Sequence, residues 1–488
     1  MHDIQSALVL LPLLTPAVTA ILNMASGRSP NLRETWSILG ASVTFLAVLA
    51  LLPHVAAGGT YSLDLFELIP GASIKLRVDG MSLLFAGTSS FLWILAGFYC
   101  VGYMRGLNEH AQTRFYTCYS ATIFGAVGVA FSGSLLTLYL FYEVVSIFTY
   151  PLVMHHQDAD AYDGSRKYLT YLMTTSKALL LPAMVLVYVT AGTLDFAGSI
   201  GPGIFPATAS RALVTTLYFM SIFGYAKAAI MPLHNWLPSA MVAPTPVSAL
   251  LHAVAVVKVG VFSICRVMLY VFGVDLLHRW GLGLITAYLA AFTILTGSII
   301  ALTKDNLKAR LAYSTISQLS YIVLGVALLT PSGIAGGLIH IPNHAFSKIT
   351  LFFCAGAIMV AHRKTEISQM EGIGYQMPFT MAAFGLASLS MIGVPPVAGF
   401  VSKWFLALGA MELKSAGILV VLLVSSILNA GYFVPIFVKA FFPRNGAASL
   451  RYAEASPFMV VPLFLTSVLS VVFGFYPDLF LKLIEVVK

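Results

Sequence analysis

The sequence predicts an all-α polytopic membrane protein, a single membrane domain over residues 1–488 with about fourteen transmembrane helices. Three observations predict it. Apolar residues make up 59% of the 488 positions and charged residues 9%, with a mean hydropathy of +0.89, a balance that leaves too little polar surface for a soluble fold. Apolar runs of about 20 residues, the length that crosses the hydrocarbon core, follow one another along the whole chain. No Ser/Gly-rich linker or long polar insertion separates them, so no resident soluble catalytic unit is expected.

In order, the runs centre near Thr15, Val43, Phe91, Val127, Tyr142, Leu181, Ser221, Ala255, Ala291, Ile322, Phe352, Gly393, Leu423 and Ser467. The first, in "MHDIQSALVLLPLLTPAVTAILNM", lacks the basic n-region and small-residue cleavage site of a secretory signal and reads as a retained span. An even number of spans puts both termini on one side. Loops with Arg28 and Arg33, Arg105 and Arg114, Arg166 and Lys167, Lys304, Lys308 and Arg310, Arg363 and Lys364, and Arg444 and Arg451 alternate with loops poorer in base. The richer set is expected on the cytoplasmic side of a prokaryotic cell membrane, with both termini outside. The same topology explains the formal charge of +8, and basic residues scattered without interleaved exposed aromatics predict no nucleic-acid partner. Cys100, Cys118, Cys265 and Cys354 fall inside apolar runs and form no CxxC pair, which weighs against disulfide, zinc and iron–sulfur chemistry. No cofactor and no metal is expected.

Against this apolar background six charges stand out: Glu143, Lys177, Lys227, Lys258, Lys348 and Lys403. A charge at the centre of a membrane helix costs roughly 2.5–3.5 kcal/mol, so these groups must be paired, hydrated or neutral. Snorkelling to the headgroups is the alternative, and it stays open for Lys177. The others have neighbours that argue for a relay. Pro232 cannot donate a backbone hydrogen bond and clashes with the carbonyl of Ala228, beside Lys227, so the helix should break near 227–238. Pro395, Pro396 and Gly399 should break another near 393–404, just before Lys403. Such breaks are tolerated at membrane depth where they line a cavity. In "HIPNHAFSK", His340, His344 and Lys348 recur every four residues and stack on one helical face over about 12 Å. His252 and Lys258 lie about 9 Å apart along another helix. Imidazole titrates near neutral pH, and burial disfavours the charged form of lysine, so both residue types can exchange protons. Glu143, the one carboxylate deep in a span of the first half, can stabilise a nearby ammonium and release its proton on withdrawal; sequence does not place it against Lys227. A purely structural hydrogen-bond network is the competing reading of the histidine–lysine stripe.

"TTSKALLLPAMVLV", with Lys177, resembles "AFSKITLFFCAGAIMV", with Lys348, and each is followed by a span carrying a proline break and a lysine. The offset amounts to five spans, and an odd number inverts a repeat across the membrane. Short apolar segments resemble one another easily, so the repeat is not established by the match.

"YLFYEVVSIFTYPLV", "MPLHNWLPSAMVAPTPVSALLHAVAVVKVGVF", "LARLAYSTISQLSYIVLG", "NHAFSKITLFFCAGAI" and "GVPPVAGFVSKWF" together resemble the proton-conducting antiporter-like family. That family comprises the A and D subunits of Mrp-type sodium/proton antiporters, the antiporter-like subunits of respiratory complex I, and relatives in membrane-bound hydrogenases. The resemblance implies fourteen helices, a hydrated axis of acidic and basic groups, and two inverted five-helix repeats. Their expected bounds are 111–275 and 280–442, preceded by N-terminal helices at 1–110 and followed by a C-terminal helix at 455–488. By motif it implies a switch pair of Glu143 and Lys227, a connecting Lys258, a second-half relay at His340, His344 and Lys348, and a terminal Lys403; Lys177 receives no role. Length, the lack of a long C-terminal lateral helix, and lysine rather than an acid at Lys403 favour the D-type member of an Mrp complex. The expected partners are protons, sodium ions, other membrane subunits and the lipid bilayer. The alternatives are a proton-pumping subunit of a complex I-type dehydrogenase or membrane-bound hydrogenase, and a non-conducting scaffold.

Overall fold

The computed structural model describes residues 3–249, 255–443 and 451–487; His252 and Arg444 lie outside them. Nine helices among the described residues are long and apolar enough to cross a membrane. We label them, with five further passages that are shorter, more polar or interrupted, in chain order. The first five are α1 (Leu10–Ala25), α2 (Pro30–Ala56), α3 (Gly80–Gly106), α4 (Gln112–Ala130) and α5 (Leu135–Val153). Then come α6 (Ala159–Ala191), α7 (Arg211–Gly224, resuming at Trp236–Ser239) and α8 (Val256–Val267, continuing as a π turn over Met268–Phe272). The second half has α9 (Leu282–Thr303), α10 (Leu307–Ala327), α11 (Pro331–His362), α12 (Pro378–Ile392 and Ala398–Glu412), α13 (Ala416–Phe441) and α14 (Pro457–Phe475). Each expected span coincides with one of these passages among the described residues, the one centred near Ala255 being described only from 255 onward, and the protein is a multi-pass membrane protein.

Side-chain caps fix where several helices begin. Asp79, Ser134, Asp158, Asn306 and Thr330 each accept a backbone N–H from the first turn that follows, satisfying donors that have no partner inside the helix. The apolar windows of α11 and α3 are 83% and 78% buried, against 33% for α6 and α13, so α11 and α3 form the centre and α6 and α13 lie at the periphery. Arg266 of α8, buried among apolar helices, ties to the Asp79 cap through hydrogen bonds of 2.5 and 3.0 Å.

One element departs from the all-helical expectation. A three-stranded sheet joins β1 (Asp3–Gln5), parallel, to a hairpin of β2 (Thr60–Ile69) and β3 (Ala72–Val78). Gly71, at φ +81°, makes the turn that a side chain would strain. The hairpin caps one end of the bundle, where Arg77 N–H donates to Phe131 O at 2.7 Å. A final short helix, α15 (Asp478–Glu485), packs on the start of α3 so closely that a Cβ on Gly80 would stand 2.1 Å from Leu483 O. The first and last described segments therefore sit at the same end of the bundle. The C-terminal region expected as one helix is two, α14 and α15.

Candidate functional site: a buried line of lysines and histidines

Glu143 lies on α5, 7% exposed. Its carboxylate does not take Lys227 as a hydrogen-bond partner but Lys177, whose Nζ donates to Oε2 at 3.0 Å and to Tyr139 OH at 2.8 Å. Ser176 also donates to the Glu143 carboxylate. Both α6 residues belong to a π turn, Ser176–Leu180, that interrupts the helix; the extra residue in such a turn re-aims the side chains around it. Lys177 keeps half its side chain exposed.

Lys227 is fully buried just past the end of the first segment of α7, in the tight turn Ala226–Ala228. Its Nζ donates to Tyr142 O at 2.9 Å and to Ser146 Oγ at 2.6 Å, so it grips the turn of α5 that carries Glu143. Tyr142 has its ring 3.2 Å from the ammonium, a cation–π contact strengthened by the absence of water. Trp236 Nε1 donates to Ala226 O at 2.9 Å, a carbonyl that also accepts Ala229 N–H at 2.9 Å within the tight turn. The helix α8 reaches this turn through Gly260, where a Cβ would stand 2.2 Å from Ala228 N. Only a glycine permits that approach.

Lys258, also on α8, points the other way along the bundle. Its Nζ lies 2.8 Å from His344 Nδ1, and the rings of His344 and His340 are 5.8 Å apart on α11. His340 is held by Ser402 Oγ at 2.7 Å and Gln318 Oε1 at 3.0 Å. His344 Nε2 and Gln318 Nε2 are buried without a protein partner among the described residues; buried polar atoms of this kind are the ones that internal water serves. Lys348, one turn further on α11, donates to Leu311 O at 3.1 Å and Ser314 Oγ at 2.8 Å. Ser314 leads through Tyr432 OH at 3.0 Å and Asn429 Oδ1 at 2.5 Å to Met391 O, which Asn429 Nδ2 reaches at 3.1 Å.

Met391 O also receives Lys403. The second break runs from Gly393, at φ +89°, to Val397, and the Lys403 stem lies over Gly393, where a Cβ would be 2.5 Å from its Cδ. Its Nζ donates to Met391 O at 2.9 Å, Ile392 O at 2.8 Å and Ser426 Oγ at 3.2 Å. The carbonyls freed at a helix end hold the ammonium itself.

The structure thus joins Lys258 to His344 and His340, joins Lys348 to Lys403 through hydroxyl and amide groups, and sets Lys227 beside Glu143 without a direct hydrogen bond. Sequence reasoning missed Lys177 as the carboxylate's partner, and missed Ser314, Gln318 and Tyr321, whose ring lies 5.1 Å from the Lys403 ammonium and 5.6 Å from the His340 ring. In "LAYSTISQLSY" these three recur at helical spacing, a polar stripe that would have been a usable signal.

A family of membrane proteins described as NADH:quinone oxidoreductase/Mrp antiporter matches residues 132–429. The chain belongs to that family. The NADH:quinone oxidoreductase/Mrp antiporter match covers α5 through the first half of α13 and contains the site residues named above except Tyr432. The N subunit of the NADH-quinone oxidoreductase of Desulforudis audaxviator is 31% identical over 491 residues, 96% of each chain. The A/B subunit of a probable K(+)/H(+) antiporter of Rhizobium meliloti is 34% identical over 376 residues, 76% of this chain and 36% of that protein, so the chain spans about a third of that relative. Among solved structures, a chain of the Mrp complex from Dietzia sp. DQ12-45-1b has the same fold, with a TM-score of 0.87 at 23% identity over 99% of this chain and 96% of that one.

Proposed function

We propose that the chain is the proton-translocating membrane subunit of a multisubunit cation/proton antiporter of Mrp type, in the D position of that complex. Protons pass along Glu143, Lys227, Lys258, His344, His340, Lys348 and Lys403, with His252 on the same route. The observation that carries this reading is the fully buried contact of Lys258 with His344 at 2.8 Å: two exchangeable nitrogens meet where lipid-facing chemistry gives no reason for either. The site lies in a prokaryotic cytoplasmic membrane, both termini outside, with sodium as the coupled cation and other membrane subunits as partners.

The two five-helix units, 111–275 and 280–442, are related by inversion in this reading. In each, the fourth helix is the broken one, and a lysine of the third helix reaches the second: Lys177 to Glu143, and Lys348 to Ser314. The experiment is sodium-driven proton movement in vesicles holding the assembled complex. Lys227→Ala and His344→Ala are each expected to reduce it by about 10²-fold, the scale of a lost proton-transfer group, with assembly unchanged. Wild-type rates in assembled complexes would favour the scaffold instead.

The end-to-end match with a quinone oxidoreductase chain favours a second reading, in which a redox partner drives the same relay. Purified native complex that pumps protons on addition of a reductant, with no cation requirement, would select it.

A further inference from the structure

At the end of the bundle away from the sheet, three histidines surround a carboxylate that the relay does not use. Glu109 and His110 stand in the loop between α3 and α4, and His155 and His156 follow the last turn of α5. One ligand atom each from Glu109, His110 and His155 lie within 4.8 Å of one another. Glu109 Oε2 is 3.5 Å from His155 Nε2 and 3.6 Å from His156 Nδ1, and the rings of His110 and His155 are 4.9 Å apart. The Glu109–imidazole separations are long for hydrogen bonds. The Glu109–His155 separation is that of a tetrahedral edge around an ion with bonds of about 2.0–2.1 Å, roughly 3.3–3.5 Å, and the His110 ligand atom, within 4.8 Å of both, closes in by a small side-chain movement.

His155 supplies the independent observation. It is fully buried, and neither ring nitrogen has a hydrogen-bond partner among the described residues. Its main chain is fixed, since Arg114 Nη2 donates to His155 O at 2.9 Å. A buried imidazole held in place, with Nδ1 unmet and Nε2 facing only the Glu109 carboxylate at 3.5 Å, beside a second imidazole, is suited to a ligand that both would bind.

We propose that Glu109, His110 and His155 form a binding site for a divalent transition-metal ion, with zinc the best fit. His156 is close enough to complete the set or to orient the carboxylate. Mixed imidazole and carboxylate donors suit zinc and its neighbours in the transition series and do not suit calcium or magnesium, which take oxygen ligands. The site was not legible in the sequence because its members come from two loops. Its position matters because the ion would fasten the α3–α4 loop to the end of α5, the helix that carries Glu143 about 18 Å away.

The test uses the full chain, stripped with a chelator and titrated with Zn2+ in detergent, with Co2+ absorption as a second probe of tetrahedral coordination. One Zn2+ per chain is expected. His110→Ala and His155→Ala should each weaken binding about tenfold or more and remove the Co2+ bands. His155→Ala touches the interior and can perturb folding, whereas His110 is exposed, so His110→Ala isolates the ligand role. Absence of stoichiometric binding, or an unchanged affinity in folded His110→Ala protein, would overturn the site. Calcium binding in place of zinc would overturn it equally.

Discussion

A lysine drawn out of water needs either a counter-ion or acceptors, and the fully buried Lys227 and the partly buried Lys403 both take acceptors. Lys227 uses Tyr142 O and Ser146 Oγ, and Lys403 uses Met391 O, Ile392 O and Ser426 Oγ. Neutral carbonyls and hydroxyls accept from an amine as well as from an ammonium, so neither lysine is bound to one protonation state by its neighbours. This makes Lys403→Arg informative: arginine keeps the charge and the donors but does not usefully deprotonate. If Lys403 carries protons, Lys403→Arg should lose transport nearly as completely as Lys403→Ala in complexes shown to assemble. Near-normal transport by Lys403→Arg would reduce it to a structural charge. Glu143 differs, since its carboxylate already holds Lys177 at 3.0 Å and serves Lys227 only by proximity along α5.

At the scale of elements, helices and breaks were legible because their causes are local. Apolar length fixes a span, and Pro232, Pro395 and Pro396 mark where one must end. The four-residue spacing of His340, His344 and Lys348 likewise put them on one face before any contact was known. What was not legible depends on partners distant in sequence. Lys177 meets Glu143 because a π turn re-aims it, and Lys258 meets His344 across two helices. The hairpin from Thr60 to Val78 was missed because a search for long apolar runs passes over a short strand pair that is exposed along much of one strand. The approach of α8 to the first break gives a prediction at this scale. A side chain at Gly260 must displace the backbone of Lys227 and Ala228, and backbone does not yield as a flexible side chain does. Gly260→Val is expected to abolish transport while circular dichroism still reports a helical protein; full activity would show that the turn at Lys227 tolerates displacement.

For the whole molecule, the sheet and α15 put the first and last described segments at one end, and the proposed orientation makes that end external. The four native cysteines are all buried, so an introduced thiol can be read against a low background. An impermeant maleimide should label Glu67→Cys, in the exposed hairpin, in intact cells, and Asp160→Cys, at the start of α6, only after permeabilisation. The reverse pattern would invert the orientation and leave the fold unchanged.

The pairing of Glu143 with Lys177 also limits how many protons the row can hold. Lys227, Lys258 and Lys348 are fully buried and Lys403 partly so, while the relay's carboxylate is already engaged by the half-exposed Lys177. At roughly 2.5–3.5 kcal/mol for each uncompensated charge, charging the three fully buried amines together is disfavoured. On the proposed relay, most seats stand empty at any moment, and a proton advances when the seat ahead is free. In the proposed relay, traffic through the row is then set by the movement of vacancies, and Glu143, which admits one more positive charge only when it lets another go, would control when a vacancy is issued.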